Sequence, residues 1–291
     1  MDITMNHDRV ELLRAKLDNF TISDYHGLKS PGLTCYLNSV LQVLFMTEDF
    51  REAIKRCCSK DSTTIDSLLG KLFSELERSW ARTHSITRNL GIADVCRQRD
   101  AAEYFEKILC LSSVEASKGC EMTLNPQILS ILLKRFSFDH NHRCHVKLHC
   151  KVDVPQTLHM EQCTYELYAL VNHFGSHRGG HYTAEIKSFE TGEWYHFNDD
   201  IVERVKQPLF GAGNTSVRSH TAYLLMYRKV SRCPEKTDEV NQEAPFIYSD
   251  VKAEGRRDEA EGGEALVPHH QVKDEHCSIG GNLMCLNADM V

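Results

Sequence analysis

Apolar positions change their spacing once along this chain. In the first part they recur every three or four residues. The run CYLNSVLQVLFM at Cys35–Met46 predicts a helix, and a second helix is expected over residues 49–58. Over residues 64–80 the positions Ile65, Leu68, Leu69, Leu72, Phe73, Leu76 and Trp80 share one helical face. A further helix is expected over residues 100–111, DAAEYFEKILCL. After Leu124 the period shortens. ILSILLKRFSF, CHVKLHCKVDV, YELYALVNHF, HYTAEIKSFE, EWYHFND and AYLLMYRK are short, rich in β-branched and aromatic residues, and separated by turns. A helical half followed by a strand half predicts an α+β domain with an antiparallel sheet. A cleft between two such halves suits a nucleophile from one and a base from the other.

The ends of the chain pattern differently. Residues 1–24 hold one short amphipathic segment, RVELLRAKL, and form a lead-in to a domain over 25–230. Within it, residues 25–111 are the helical part and 124–230 the sheet. Residues 231–291 are polar and acidic, and disorder is expected there. Charge sharpens this boundary. The net charge of −7 lies in that tail, with 6 Lys and Arg against 13 Asp and Glu, while residues 1–230 are neutral. Nothing in that balance favours nucleic acid or an anionic membrane as a partner.

Composition narrows the class further. At 41% hydrophobic and 26% charged residues the chain reads as globular. No apolar run approaches a membrane span, and the start lacks the basic-then-apolar pattern of a secretory signal. Twelve scattered cysteines without a C-x-x-C fit a reducing compartment, so a cytoplasmic or nuclear location is expected, with no disulfide framework. No metal and no cofactor is expected, and a monomer is the expected state.

One cysteine stands apart. In GLKSPGLTCYLNS, Cys35 follows a loop with glycines and a proline and opens the first helix. A helix start carries unpaired amides and the positive end of the dipole, and both favour thiolate. The preceding glycines let amides converge on an acyl oxygen, and Thr34 suits the N-cap. Taken alone, these features also suit a buried structural cysteine.

A thiol nucleophile needs a base and a group that orients it. Among sixteen histidines, His181 in GGHYTAE follows two glycines and opens a strand, and Asn198 and Asp199 lie downstream in WYHFNDD. A two-residue turn at Thr191-Gly192 would pair Asn198 with Glu185, on His181's face but about 13 Å away. A longer loop, a bulge or a bend at the glycines must close that gap. A second cluster, FDHNHRCHVKLHC, holds His140, His142, Cys144, His145, His149 and Cys150, but its spacing fits no zinc finger or ribbon. It reads as a polar hairpin surface.

Together the motifs resemble the ubiquitin-specific proteases. GLKSPGLTCYLNSVLQVLF is similar to their cysteine box and GGHYTAEIKSFETGEWYHFNDDIV to their histidine box. QRDAAEYF is similar to their Q-x-D-x-x-E-F segment, and ILLKRFSF to their L-x-LKRF strand. Four motifs in order over about residues 25–229 make the likeness specific. It implies a papain-like fold with a helical thumb and a β palm. It also implies hydrolysis of the isopeptide bond after ubiquitin's C-terminal glycines, with ubiquitin or ubiquitinated proteins as partners. Carried over by position, Cys35 is the nucleophile, His181 the base, Asn198 its orienter and Asp199 an adjacent helper. Gln98, Asp100 and Glu103 fall where the basic ubiquitin tail is held.

Two departures matter. The family's oxyanion-hole asparagine, five residues before the cysteine, is Ser30 here. The β-rich fingers that grip the body of ubiquitin are missing, since only LCLSSVEASKGCEMTL stands between Leu109 and Leu124. Three readings stay open. They are a compact deubiquitinase, a catalytically impaired ubiquitin-binding scaffold, and a thiol hydrolase for another modifier. The third would follow if the cleft lacked acid facing the tail.

Overall fold

The computed structural model describes residues 25–57, 62–114, 116–119, 126–160, 163–232 and 283–288. Every described residue belongs to one compact unit. The expected helix in residues 1–24 and most of the expected disordered tail lie outside the described residues.

The elements alternate briefly and then settle into strands. In chain order they are β1 (Leu28–Lys29), α1 (Cys35–Met46), α2 (Glu48–Cys57), α3 (Ile65–Leu76), β2 (Ala81–Arg82), α4 (His84–Asn89) and α5 (Ala101–Leu111). Then come β3 (Ala116–Gly119), β4 (Ile128–Leu133), β5 (Phe136–Asp139), β6 (Cys144–Lys147), β7 (Val152–Pro155), β8 (Thr157–His159) and β9 (Cys163–Ser176). The last are β10 (Gly179–Lys187), β11 (Trp194–Asn198), β12 (Ile201–Arg204), β13 (Ser216–Ser219), β14 (Ala222–Arg232) and β15 (Leu283–Ala288). The α+β class follows directly.

Helix α1 is buried on every side, which explains its nearly unbroken apolar run. It packs on α2, α5 and strand β10, so its first residue meets the sheet. Thr64 caps α3 by accepting from the Ser67 amide, and Asp100 caps α5 by accepting from the Ala102 amide. Helix α3 ends at Leu76, earlier than its apolar spacing predicts. Trp80 therefore leaves the expected core face; it is 49% exposed and packs against the cationic ends of Lys29 and Arg82.

The main sheet runs β12-β11-β10-β9-β14-β4-β15-β3, with β8 also paired to β9. It is antiparallel from β12 to β4, and β15 joins its two neighbours in parallel. Strand β15 lies in the stretch where disorder was expected. Its pairing with Ile128–Leu133 gives those residues a partner strand from the far end of the chain. The expected β5 and β6 region forms a hairpin over the FDHNHRCHVK stretch, with His140, His142 and His145 exposed. Behind it the fully buried Arg135 guanidinium donates to the carbonyls of Ala222, Leu148, Cys150 and Ser219. The link from α5 to β4 includes β3; residues 115 and 120–125, within the stretch where fingers would stand, lie outside the described residues.

Candidate active site

The loop before Cys35 is held at both ends. The Leu28 amide donates to the Asp199 carbonyl at 2.8 Å, and the Leu33 amide to the Val95 carbonyl at 2.7 Å. Gly27 allows the first contact, because a Cβ there would lie 2.6 Å from the Asp200 backbone. Cys35 then opens α1 with only 4% of its surface exposed. Thr34 does not cap the helix as its sequence position suggests; its hydroxyl meets Ser30 Oγ at 2.9 Å. The amides of Cys35 and Tyr36 are left facing the sulfur, joined by the Tyr182 amide from β10.

These amides stabilise a thiolate, but they do not decide its protonation in the free protein. Burial pushes the Cys35 thiol above its ordinary value, and the Asp199 carboxylate pushes the same way. The expectation of a lowered thiol pKa from the helix start alone is therefore reversed. Taking charge out of water outweighs the amides here.

His181 and Asn198 meet directly, His181 Nε2 donating to Asn198 Oδ1 at 2.6 Å. The gap anticipated from a tight turn disappears because the turn is longer. Lys187 pairs with Trp194, so six residues, 188–193, connect the strands. The register places Ala184 opposite Phe197, and Asn198 then falls two residues, rather than four, from His181 along the ladder. That diagonal is within side-chain reach. Since Asn198 Oδ1 only accepts, Nε2 carries the proton and Nδ1 is the basic nitrogen.

The loop ahead of His181 is clamped. The Gly180 amide donates to Gln98 Oε1 at 2.5 Å, and Gln98 Nε2 donates back to the Gly180 carbonyl. Gly180 is needed there, since a Cβ would overlap the Phe174 carbonyl and the His173 ring. His173 itself is 3% exposed, and burial, with Lys147 next, lowers its pKa to about 4.

Asp199 sits in the left-handed region at φ 54° in the turn after β11, where an aspartate is tolerated. Its Oδ1 accepts from Asn38 Nδ2 at 2.7 Å, and Asn38 also donates to the Leu28 carbonyl at 3.1 Å. Burial raises the Asp199 pKa, while Asn38 and then His181 lower it. Asn38 carried no assigned role from sequence. An amide at the fourth position of a buried, mostly apolar helix is the signal the sequence offers, and Gln42 one turn later shares it.

The remaining residues singled out from sequence fall as follows. Ser30 Oγ donates to the Gly32 carbonyl at 2.7 Å, so its one proton is turned into its own loop. Gln98 serves the Gly180 clamp. Asp100 Oδ1 accepts from the Ala102 amide, and both its oxygens accept from the Tyr223 hydroxyl at 2.7 Å. Glu103 is exposed. A thiol on the helical part thus lies beside the strand that carries an oriented imidazole, an arrangement able to transfer an acyl group through a thioester.

Known proteins share this chain's pattern. The family model for ubiquitin carboxyl-terminal hydrolase matches residues 26–122 and 106–227, two overlapping pieces. Ubiquitin carboxyl-terminal hydrolase 47 of Mus musculus is 23% identical over 428 aligned positions, covering 88% of this chain and 31% of the relative. The protein of the same name from Drosophila melanogaster is 24% identical, with 71% and 25% covered. Ubiquitin carboxyl-terminal hydrolase 5 of Arabidopsis thaliana is 34% identical over 134 positions, 42% of this chain and 13% of the relative. The chain spans under a third of the length of these relatives. The mouse alignment, at 428 positions, is longer than this chain of 291 residues, so that relative carries inserted residues that this chain lacks.

Proposed function

The chain belongs to the ubiquitin carboxyl-terminal hydrolase family, and from that premise we propose that residues 25–230 form a cysteine-type deubiquitinase acting on ubiquitin or ubiquitinated proteins. The observation that carries this reading is the 2.6 Å bond from His181 to Asn198 beside the helix start of Cys35. Neither a buried thiol nor an oriented imidazole is needed by a protein that only binds.

In this mechanism His181 Nδ1 takes the Cys35 proton as substrate excludes water. The thiolate attacks the carbonyl carbon of the terminal glycine, and the oxygen gains negative charge. The Cys35 amide at the unpaired helix start receives that oxyanion. The imidazolium then gives its proton to the departing lysine amine, and a thioester remains on Cys35. Water, deprotonated by His181, attacks the thioester and releases the carboxylate. Asp199 favours the imidazolium by its charge, and Asn198 keeps the ring in register.

A second reading, an impaired ubiquitin-binding scaffold, is favoured by Ser30, whose proton is engaged with Gly32. Losing one oxyanion donor costs about 10²–10³ in rate. Ubiquitin carrying a fluorogenic C-terminal amide separates the two. Release by the wild type that disappears in Cys35→Ala, with a faster Ser30→Asn variant, is expected for the enzyme. Release no faster than Cys35→Ala in both other proteins would leave the scaffold reading.

A further inference from the structure

The helix that carries the thiol also carries an amide that packing alone does not explain. Asn38 stands three residues after Cys35 in α1, on the same side of the helix, and is 2% exposed. Its partners are both oxygens, the Asp199 carboxylate at 2.7 Å and the Leu28 carbonyl at 3.1 Å. Only a donor can face both, so Nδ2 is the atom turned towards them. The amide oxygen is left buried with no partner. An orphaned buried acceptor costs stability, and a leucine of similar size would fill the site without one. The side chain is therefore explained by what Nδ2 holds.

What it holds is a closed ring of hydrogen bonds. The Leu28 amide donates to the Asp199 carbonyl at 2.8 Å, while Asn38 donates to the Leu28 carbonyl and to the Asp199 carboxylate. The ring joins the nucleophile helix, the loop that leads to it and the turn after β11. Asp199 meets titratable groups from each side: the Cys35 thiol from α1, His181 from β10 and Asp200 from its own turn. Among the described residues no lysine or arginine pairs with it. Asn38 is thus the main donor that lets a half-buried carboxylate keep its charge, ahead of His181.

We propose that Asn38 is a positioning residue for acyl transfer: its side-chain amide fixes the Asp199 carboxylate where that charge favours the imidazolium of His181. The inference deepens the enzyme reading and rests on it, since the imidazolium forms when His181 takes the Cys35 proton. Without the amide the carboxylate loses its main donor, and it binds a proton or turns towards water. Either way its charge leaves the thiol and the imidazole together. The two side chains act as one unit, so removing both costs little more than removing either. A hydrogen bond to a charged group of this kind changes a rate by roughly tenfold or more.

The test is a double-mutant cycle in the full 291-residue chain, with Asn38→Leu, Asp199→Asn and the two together. Leucine keeps the volume, and asparagine suits the left-handed turn at position 199 as well as aspartate does. With ubiquitin carrying a fluorogenic C-terminal amide, Asn38→Leu is expected to lower kcat about tenfold or more with KM little changed. In the Asp199→Asn background the same change should lower kcat by no more than about threefold, the part owed to the Leu28 bond. Asn38→Asp, which can donate only while protonated, should keep a larger fraction of the wild-type rate in mild acid than in mild base. Iodoacetamide alkylation of Cys35, read by peptide mapping, needs no ubiquitin. Its pH midpoint should fall in Asn38→Leu and in Asp199→Asn, and no further in the double variant. Equal loss from Asn38→Leu in both backgrounds overturns the proposal, as does an alkylation midpoint that Asn38→Leu leaves in place or raises. A wild type that releases no fluorophore while the alkylation cycle is non-additive overturns the enzyme reading instead. Release with an additive cycle overturns only the role of Asn38.

Discussion

His173 ties the stability of the candidate site to acid in a way that can be measured. Its ring is buried against Phe136 and Tyr182, and its ring lies where a Cβ at Gly180 would stand. Burial, then the nearby Lys147, hold its pKa at about 4 against an ordinary 6.5. The unfolded chain therefore binds a proton in the window between about 4 and 6.5 that the folded chain does not, and stability rises with pH through it. Stability is fully present above the unfolded value and falls as the solution is acidified. The full shift corresponds to about 3 kcal/mol, and about 2 kcal/mol of it is lost by pH 5. Urea unfolding of the wild type and of His173→Gln at pH 7.5 and pH 5 isolates this contribution. Groups common to both proteins cancel in the difference between them. The wild type's advantage over the variant should shrink by about 2 kcal/mol at pH 5. An advantage that is unchanged, or larger, at pH 5 would refute the claim that His173 is held neutral by burial.

Other perturbations follow from the same geometry. Gly180→Ala forces a Cβ onto the Phe174 carbonyl and the His173 ring, and urea unfolding should show a loss of at least about 2 kcal/mol. Asn198→Ala removes the bond that holds His181 and should lower kcat by roughly 10–150-fold with KM little changed, from a bond of about 1.5–3 kcal/mol. Asn198→Asp, which keeps an acceptor, should retain most of that rate. Asp199→Asn removes a carboxylate that raises the Cys35 thiol, so the pH midpoint of iodoacetamide alkylation should move down; an upward move would contradict the assignment.

Periodicity carried much of this fold because α1 and α5 bury apolar faces in register with their sequence spacing. It misled at Trp80, where the apolar spacing runs past the last hydrogen-bonded turn of α3 and onto the surface. The β10–β11 register could not be read from Thr191 and Gly192. Gly192 does take a positive φ of 72°, but within a six-residue connection rather than a two-residue one. That loop length decides whether Asn198 reaches His181. The thiol's electrostatics were also hidden, since a helix start is visible in sequence whereas burial and the approach of Asp199 are tertiary facts. Strand β15 carries no local signal beyond six residues in a polar stretch, and its partners β4 and β3 give it a place.

The role proposed for Cys35 is that of a nucleophile directed at the C-terminus of ubiquitin. Its most direct test is reaction of the full chain with ubiquitin bearing a thiol-reactive group at its C-terminus, followed by intact mass and peptide mapping. One added ubiquitin is expected on Cys35, lost in Cys35→Ala and slowed in His181→Ala. An adduct mapping to another cysteine, or no adduct at high probe concentration, would contradict it.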